Sequence, residues 1–144
     1  MHIMDWIMTG PVWVRYRCLV DLAGMEPDDP RVNEAYQEIA LDPGVRQLIS
    51  DLSSWGQTPL KRHNDAHHNL HKLAFLADLG MTVETPAIRQ IADDVKKYAD
   101  EAGVFQVLSN YPTVFGGSGQ DEMLWALCDT PLIATSLIKM KAIK

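Results

Sequence analysis

Cysteine is scarce in this sequence. Two thiols, Cys18 and Cys128, make no disulfide framework, and reduced thiols in a cytoplasm are the expected state. A basic stripe is also missing. Lys61-Arg62 and the C-terminal Lys139, Lys141 and Lys144 are its basic clusters, and the formal net charge is −6. Such a chain has little with which to displace phosphate counterions, so nucleic acid is not an expected partner. No apolar run approaches the roughly 20 residues of a membrane span, so none is expected. The stretch 1–10 has neither a basic start nor a long apolar core, which reads as no signal peptide. The hydrophobic share of 47% over 144 residues suffices for a folded core and argues against disorder.

What the sequence does contain is a copy of part of itself. Gly24-Met25 followed by Pro30-Arg31-Val32 returns 56 positions later (24 to 80, 30 to 86) as Gly80-Met81 and Pro86-Ala87-Ile88. Asp42-Pro43-Gly44-Val45 is answered by Asp100-Glu101-Ala102-Gly103-Val104, with the glycines 59 apart (44 to 103). Periods of this size belong to proteins that stack one supersecondary unit, because a single unit cannot bury its own apolar face. The expected organisation is one α-helical repeat domain over 1–144: repeat one at 11–60, repeat two at 61–118 and a half repeat at 119–144.

Periodicity predicts helices throughout. Pro11 suits a helix start, and Val12, Tyr16, Leu19, Val20 and Ala23 keep helical spacing until Gly24. Asp29-Pro30 opens a helix with Val32, Ala35, Tyr36 and Ile39 on one face, and Asp42-Pro43 opens another with Val45, Leu48, Ile49 and Leu52. Asn64 or Asp65 is the expected cap of a helix carrying Ala66, Leu70, Leu73, Ala74 and Ala77, stopped by Gly80. Pro86 starts the next, with Ile88, Ile91, Ala92, Val95 and Tyr98. Val104 to Leu108 could pass for a strand but has no evident partner, so an extended or one-turn segment is expected there. A last helical region is expected from Asp121 to about Met140, bent or broken near Pro131.

The runs Trp13-Val14-Arg15-Tyr16-Arg17, Lys72-Leu73-Ala74-Phe75-Leu76-Ala77-Asp78-Leu79-Gly80 and Leu127-Cys128-Asp129-Thr130-Pro131 give most of the chain a repeat pattern. That pattern resembles proteins with prenyltransferase and squalene-cyclase repeats. The resemblance implies an all-α fold of helical hairpin repeats, a partial α/α toroid of about six to seven helices with a ligand pocket at one rim. The chain departs from the chemistry of that family. Asp28-Asp29 and Asp93-Asp94 do not make the cyclases' Asp-x-Asp-Asp motif, and their Gln-and-Trp repeat motif is missing. Protein prenyltransferases hold zinc through Asp-x-Cys and a distant His, whereas the order here is Cys128-Asp129. Neither activity is therefore carried over.

Candidate sites come from three places. On a helix, His67 and His71 would be i, i+4 neighbours at the margin of the buried face, able to chelate zinc with His63 or Asp65 as third ligand. The same histidines can equally cap the helix, bond to the connector or face solvent. Lys61 and Arg62, leading into one helix start, and Gly116-Gly117-Ser118-Gly119, leading into the next, suggest an anion site. Phe75, Leu124 and Trp125 would give apolar contact to the ligand's tail; the glycines can also be plain turn residues, and Asp121 and Glu122 would oppose an anion. Cys128 with Asp129 reads as half of a Cys/His or metal site, or as buried packing. The expected function is binding of a small amphipathic or anionic molecule near His67, His71 and Cys128. The alternative is a protein-interaction scaffold, or a partial toroid that closes by forming a homodimer.

Overall fold

A computed structural model describes residues 3–144 and shows a mostly helical protein with a small antiparallel sheet. Among the described residues there are seven α-helices: α1 (Ile3–Ile7), α2 (Val12–Arg17), α3 (Pro30–Leu41), α4 (Pro43–Leu52), α5 (Asn69–Asp78), α6 (Pro86–Lys96) and α7 (Asp129–Lys139). Two strands, β1 (Val107–Ser109) and β2 (Glu122–Leu124), make the sheet. Among the described residues, no helix is long and apolar enough to cross a membrane. The chain divides into two compact units, residues 1–47 and 48–144.

The first unit is built on the pairing of α2 with α3. Leu19, Val32 and Ala35 form its buried cluster, with Tyr16, Val20 and Met25 packed around them. Asp29 caps α3 by accepting the Arg31 N–H at 2.9 Å, and Pro30 takes the first helical position, where its missing N–H costs nothing. The helix begun by α2 does not end as an ordinary α-helix: Cys18–Leu22 widens into a π-helical turn.

In the second unit, α5 packs along α7. Leu70, Leu73 and Leu76 of α5 and Ile133 and Leu137 of α7 are all fully buried, as is Met140, which follows α7. The Val83 N–H donates to the Met140 carbonyl at 2.9 Å and ties the loop after α5 to the end of α7. Ile88, Ile91, Ala92 and Val95 give α6 its buried stripe, on the spacing read from the sequence.

The sequence repeat is visible locally. Gly24 (φ 62°) and Gly80 (φ 92°) both stop a helix in the left-handed region that glycine enters without a Cβ clash. In both cases the methionine after the glycine turns its N–H back into the helix: Met25 to the Leu19 carbonyl and Met81 to the Leu76 carbonyl. Each is followed by a cap and a proline, Asp29-Pro30 and Thr85-Pro86. The correspondence then lapses. Asp42 accepts from the Gly44 and Val45 N–H groups at the start of α4, whereas Asp100 accepts from Ala102 and Val104 to close a tight turn.

Two expectations need correction. The segment at 107–109 does have a strand partner, so the protein is not purely helical. Asp121 does not begin the last helix: its carboxylate accepts from Asn110 Nδ2 at the base of the β1–β2 pair, and α7 starts eight residues later (121 to 129) with Pro131 in its first turn. Proline therefore opens this helix and does not break it.

The sheet is where the unit's distant segments meet. Val107, Leu108 and Ser109 pair with Leu124, Met123 and Glu122. On the other edge of β1, the Leu60 N–H donates to the Leu108 carbonyl at 2.8 Å, and the Asn110 N–H donates to the Leu60 carbonyl at 2.9 Å. Leu60 is fully buried. Leu60→Ala keeps both backbone bonds but empties a packed site, and is expected to cost about 2–5 kcal/mol. Guanidinium unfolding followed by circular dichroism measures it; an unchanged midpoint would mean that Leu60 anchors nothing.

Candidate functional site

Three chain segments leave this sheet and converge. The connector runs from Leu60 through Lys61 and Arg62 to His63, β1 runs on to Tyr111, and β2 runs on through Trp125 to Cys128 and Asp129. The last of these is fixed at the head of α7 by Thr130. Its hydroxyl donates to the Phe105 carbonyl at 3.0 Å and accepts the Ala126 N–H at 3.2 Å. His63 is fixed from behind, since its backbone carbonyl accepts from His71 Nε2.

At the meeting point stand His63, Tyr111, Cys128 and Asp129. His63 Nδ1 lies 3.1 and 3.0 Å from the two Asp129 carboxylate oxygens and 3.3 Å from Cys128 Sγ. The Tyr111 hydroxyl donates to Asp129 Oδ2 at 3.1 Å, and its ring tilts against the His63 imidazole with centroids 5.1 Å apart. Asp129 is buried (5% side-chain exposure), while half of the His63 side chain is exposed and Cys128 is an exposed residue. Withdrawal from water and then the Asp129 charge push the Cys128 thiol above its ordinary value. The same two causes push Tyr111 up to about 12.

This is not a cysteine–histidine–aspartate relay. In a relay the acid orients one imidazole nitrogen and the other takes the nucleophile's proton. Here Asp129 and Cys128 face the same nitrogen. Nδ1 has one proton or one lone pair, so it can satisfy one of these neighbours at a time. A single cation placed among them would satisfy all three. The imidazole nitrogen, the sulfur and a carboxylate oxygen lie within 4.8 Å of one another, and among the described residues this is the group with metal-ligand composition. A mixed N, S and O set suits zinc and its borderline neighbours and is wrong for magnesium or calcium, which take oxygen alone. Three protein ligands would leave a fourth position open.

His63 and Tyr111 also line an open cleft of about 620 Å³. Lys61, Arg62 and Asn64 supply its polar side, Phe115 and Leu124 its apolar side, and Gly116-Gly117 a stretch of bare backbone. The glycine loop is folded hard onto the site. A Cβ on Gly117 would stand 2.1 Å from the Tyr111 carbonyl oxygen, and the Gly119 N–H donates to that same oxygen at 3.0 Å.

The structure sets Lys61, Arg62 and His63 beside Gly116-Gly117 in one cleft, although neither segment leads directly into a helix start, and it sets Cys128 beside a histidine. That histidine is His63 and not His67 or His71. His67 precedes α5, whose cap is His68: the His68 Nδ1 accepts the Leu70 N–H at 3.1 Å. His67 and His71 are therefore not paired on one helix face. His67 lines a separate pocket of about 190 Å³ with Asp51 and Lys72. Asp65 accepts the His67 N–H at 3.1 Å and so serves a turn. Phe75 is exposed on α5, and Trp125, also exposed, does not line the cleft although its neighbour Leu124 does. Sequence reasoning missed Tyr111 and Phe115. The signal for Tyr111 was its place two residues beyond a strand whose pairing was not recognised.

Gly117→Ala is expected to force the loop away from Tyr111 and to lower stability by about 1–3 kcal/mol, the range for overpacking. Thermal melting against the unaltered chain measures it, and an unchanged melting temperature would mean the loop yields without strain. No family model, curated protein or solved structure matches this chain, so the functional reading rests on the residues of the site.

Proposed function

We propose that residues 48–144 bind a small anionic amphiphile beside a zinc-class metal centre. The observation that carries this is one cleft that gathers two cationic side chains, bare glycine backbone and an apolar wall, with His63 shared between the cleft and the donor cluster. Lys61 and Arg62 would hold the anionic head by charge-assisted hydrogen bonds, with Arg62 able to take two oxygens at once. Phe115 and Leu124 would cover the tail. His63 would offer Nδ1, Cys128 its thiolate and Asp129 its carboxylate to the metal, which requires loss of the thiol proton. Bound zinc would supply a Lewis acid and a coordinated water of lowered pKa.

The two halves of the reading are tested separately. Dodecyl phosphate should bind saturably in titration calorimetry. Arg62→Ala should weaken it about tenfold, or about 1.4 kcal/mol. Phe115→Ala should weaken dodecyl phosphate but leave inorganic phosphate unaffected. Absence of saturable binding would end the amphiphile reading. For the metal, cobalt added to the full chain should give a thiolate-to-cobalt band in the near ultraviolet. Cys128→Ser should abolish that band and Cys18→Ser should not; a band that survives Cys128→Ser would end the metal reading.

A second reading, a protein-docking or self-associating face, is favoured by the exposure of Val114, Phe115 and Leu127, each more than 80% exposed. The molecular mass in solution, with and without Leu127→Ser, tells it apart from the first.

A further inference from the structure

We infer that Tyr111 is a positioning residue whose hydroxyl holds Asp129 in the orientation that a metal ion needs, and that the glycine loop fixes where this hydroxyl stands. The inference rests on the metal reading above. Without a metal, the Asp129 carboxylate has three candidate proton donors around it: the His63 Nδ1 group, the Cys128 thiol and the Tyr111 hydroxyl. Metal binding needs a bare Nδ1 and a thiolate, so the first two donors are lost. The Tyr111 O–H lies 3.1 Å from Oδ2, closer than its 3.4 Å from His63 Nδ1, and Tyr111 is not one of the three ligands, so its hydroxyl is kept as a donor. It becomes the remaining donor to a buried carboxylate. A ligating carboxylate left without such a donor is free to rotate, and losing one partner of this kind typically lowers metal affinity about 10–100-fold.

Tyr111 is itself held on two sides. Its ring rests on His63, and its backbone carbonyl accepts the Gly119 N–H while Gly117 packs directly against it. The loop that lines the cleft therefore bears on the backbone from which the Tyr111 hydroxyl is presented to Asp129.

Tyr111→Phe keeps the ring and removes only the hydroxyl. Zinc competition against a chromophoric chelator, on the full chain with no amphiphile present, should show affinity lowered about 10–100-fold. At saturating cobalt the thiolate band should remain, because Cys128 still ligates. Gly117→Ala, which alters no donor atom, should lower zinc affinity in the same direction. Unchanged zinc affinity in Tyr111→Phe, with the wild-type chain binding zinc, overturns the role of Tyr111 and leaves the metal centre standing. Loss of the cobalt band in Tyr111→Phe overturns it too, since the hydroxyl would then support the site's fold and not one carboxylate. Unchanged affinity in Gly117→Ala overturns the loop's part. A wild-type chain that takes up no zinc overturns the metal centre and this inference together.

Discussion

Everything about the site depends on three residues of strand. Val107–Ser109 is paired by β2 on one edge and by Leu60 on the other. A strand in the interior of even so small an arrangement fixes register on both sides at once, because its alternate N–H and C=O groups point to opposite edges. That is how chain 63, chain 111 and chain 128–129 reach one point although up to 66 residues separate them (63 to 129). A slip of one residue in either pairing would turn Tyr111 or the approach to Cys128 to the opposite face. The helices supply the buried volume; the sheet supplies the alignment.

The cluster itself is an electrostatic compromise centred on Asp129. A buried carboxylate is tolerated only where donors satisfy its lone pairs, and here three neighbours can serve it. Withdrawal from water first, and this negative charge second, push the neighbouring thiol above its ordinary value. The arrangement is therefore quiet by default. It is suited to receiving positive charge and unsuited to acting as an exposed thiolate nucleophile.

How much of this could be read from the sequence differs by feature, for physical reasons. Helix starts were legible where a cap and a proline stood together, as at Asp29-Pro30 and Pro86, because those residues act within one turn. The α5 start was misjudged. Asp65 is a good cap by type, yet its carboxylate serves the preceding turn and His68 caps instead, an uncommon use of imidazole. That displacement removed the helical His67/His71 pair. The strands were too short for alternation to be read, three residues each, and their pairing spans a glycine-rich loop. Lys61 and Arg62 do line one cleft with Gly116-Gly117, but the reason for pairing them, that each segment leads into a helix start, does not hold, since α5 begins at Asn69 and α7 at Asp129. The choice of His63 over its neighbours was not legible, since it comes from a backbone bridge at Leu60 that no side chain announces.

The widened turn at Cys18–Leu22 carries a consequence of its own. Where Met81 reaches back five residues, to Leu76, Met25 reaches back six, to Leu19. One surplus residue has been absorbed inside the helical wall, and the glycine stop, the methionine and the proline beyond keep their spacing. The wider turn takes up that residue within the helix, so Gly24 still reaches the left-handed conformation and Met25 still closes the turn, as Gly80 and Met81 do after α5.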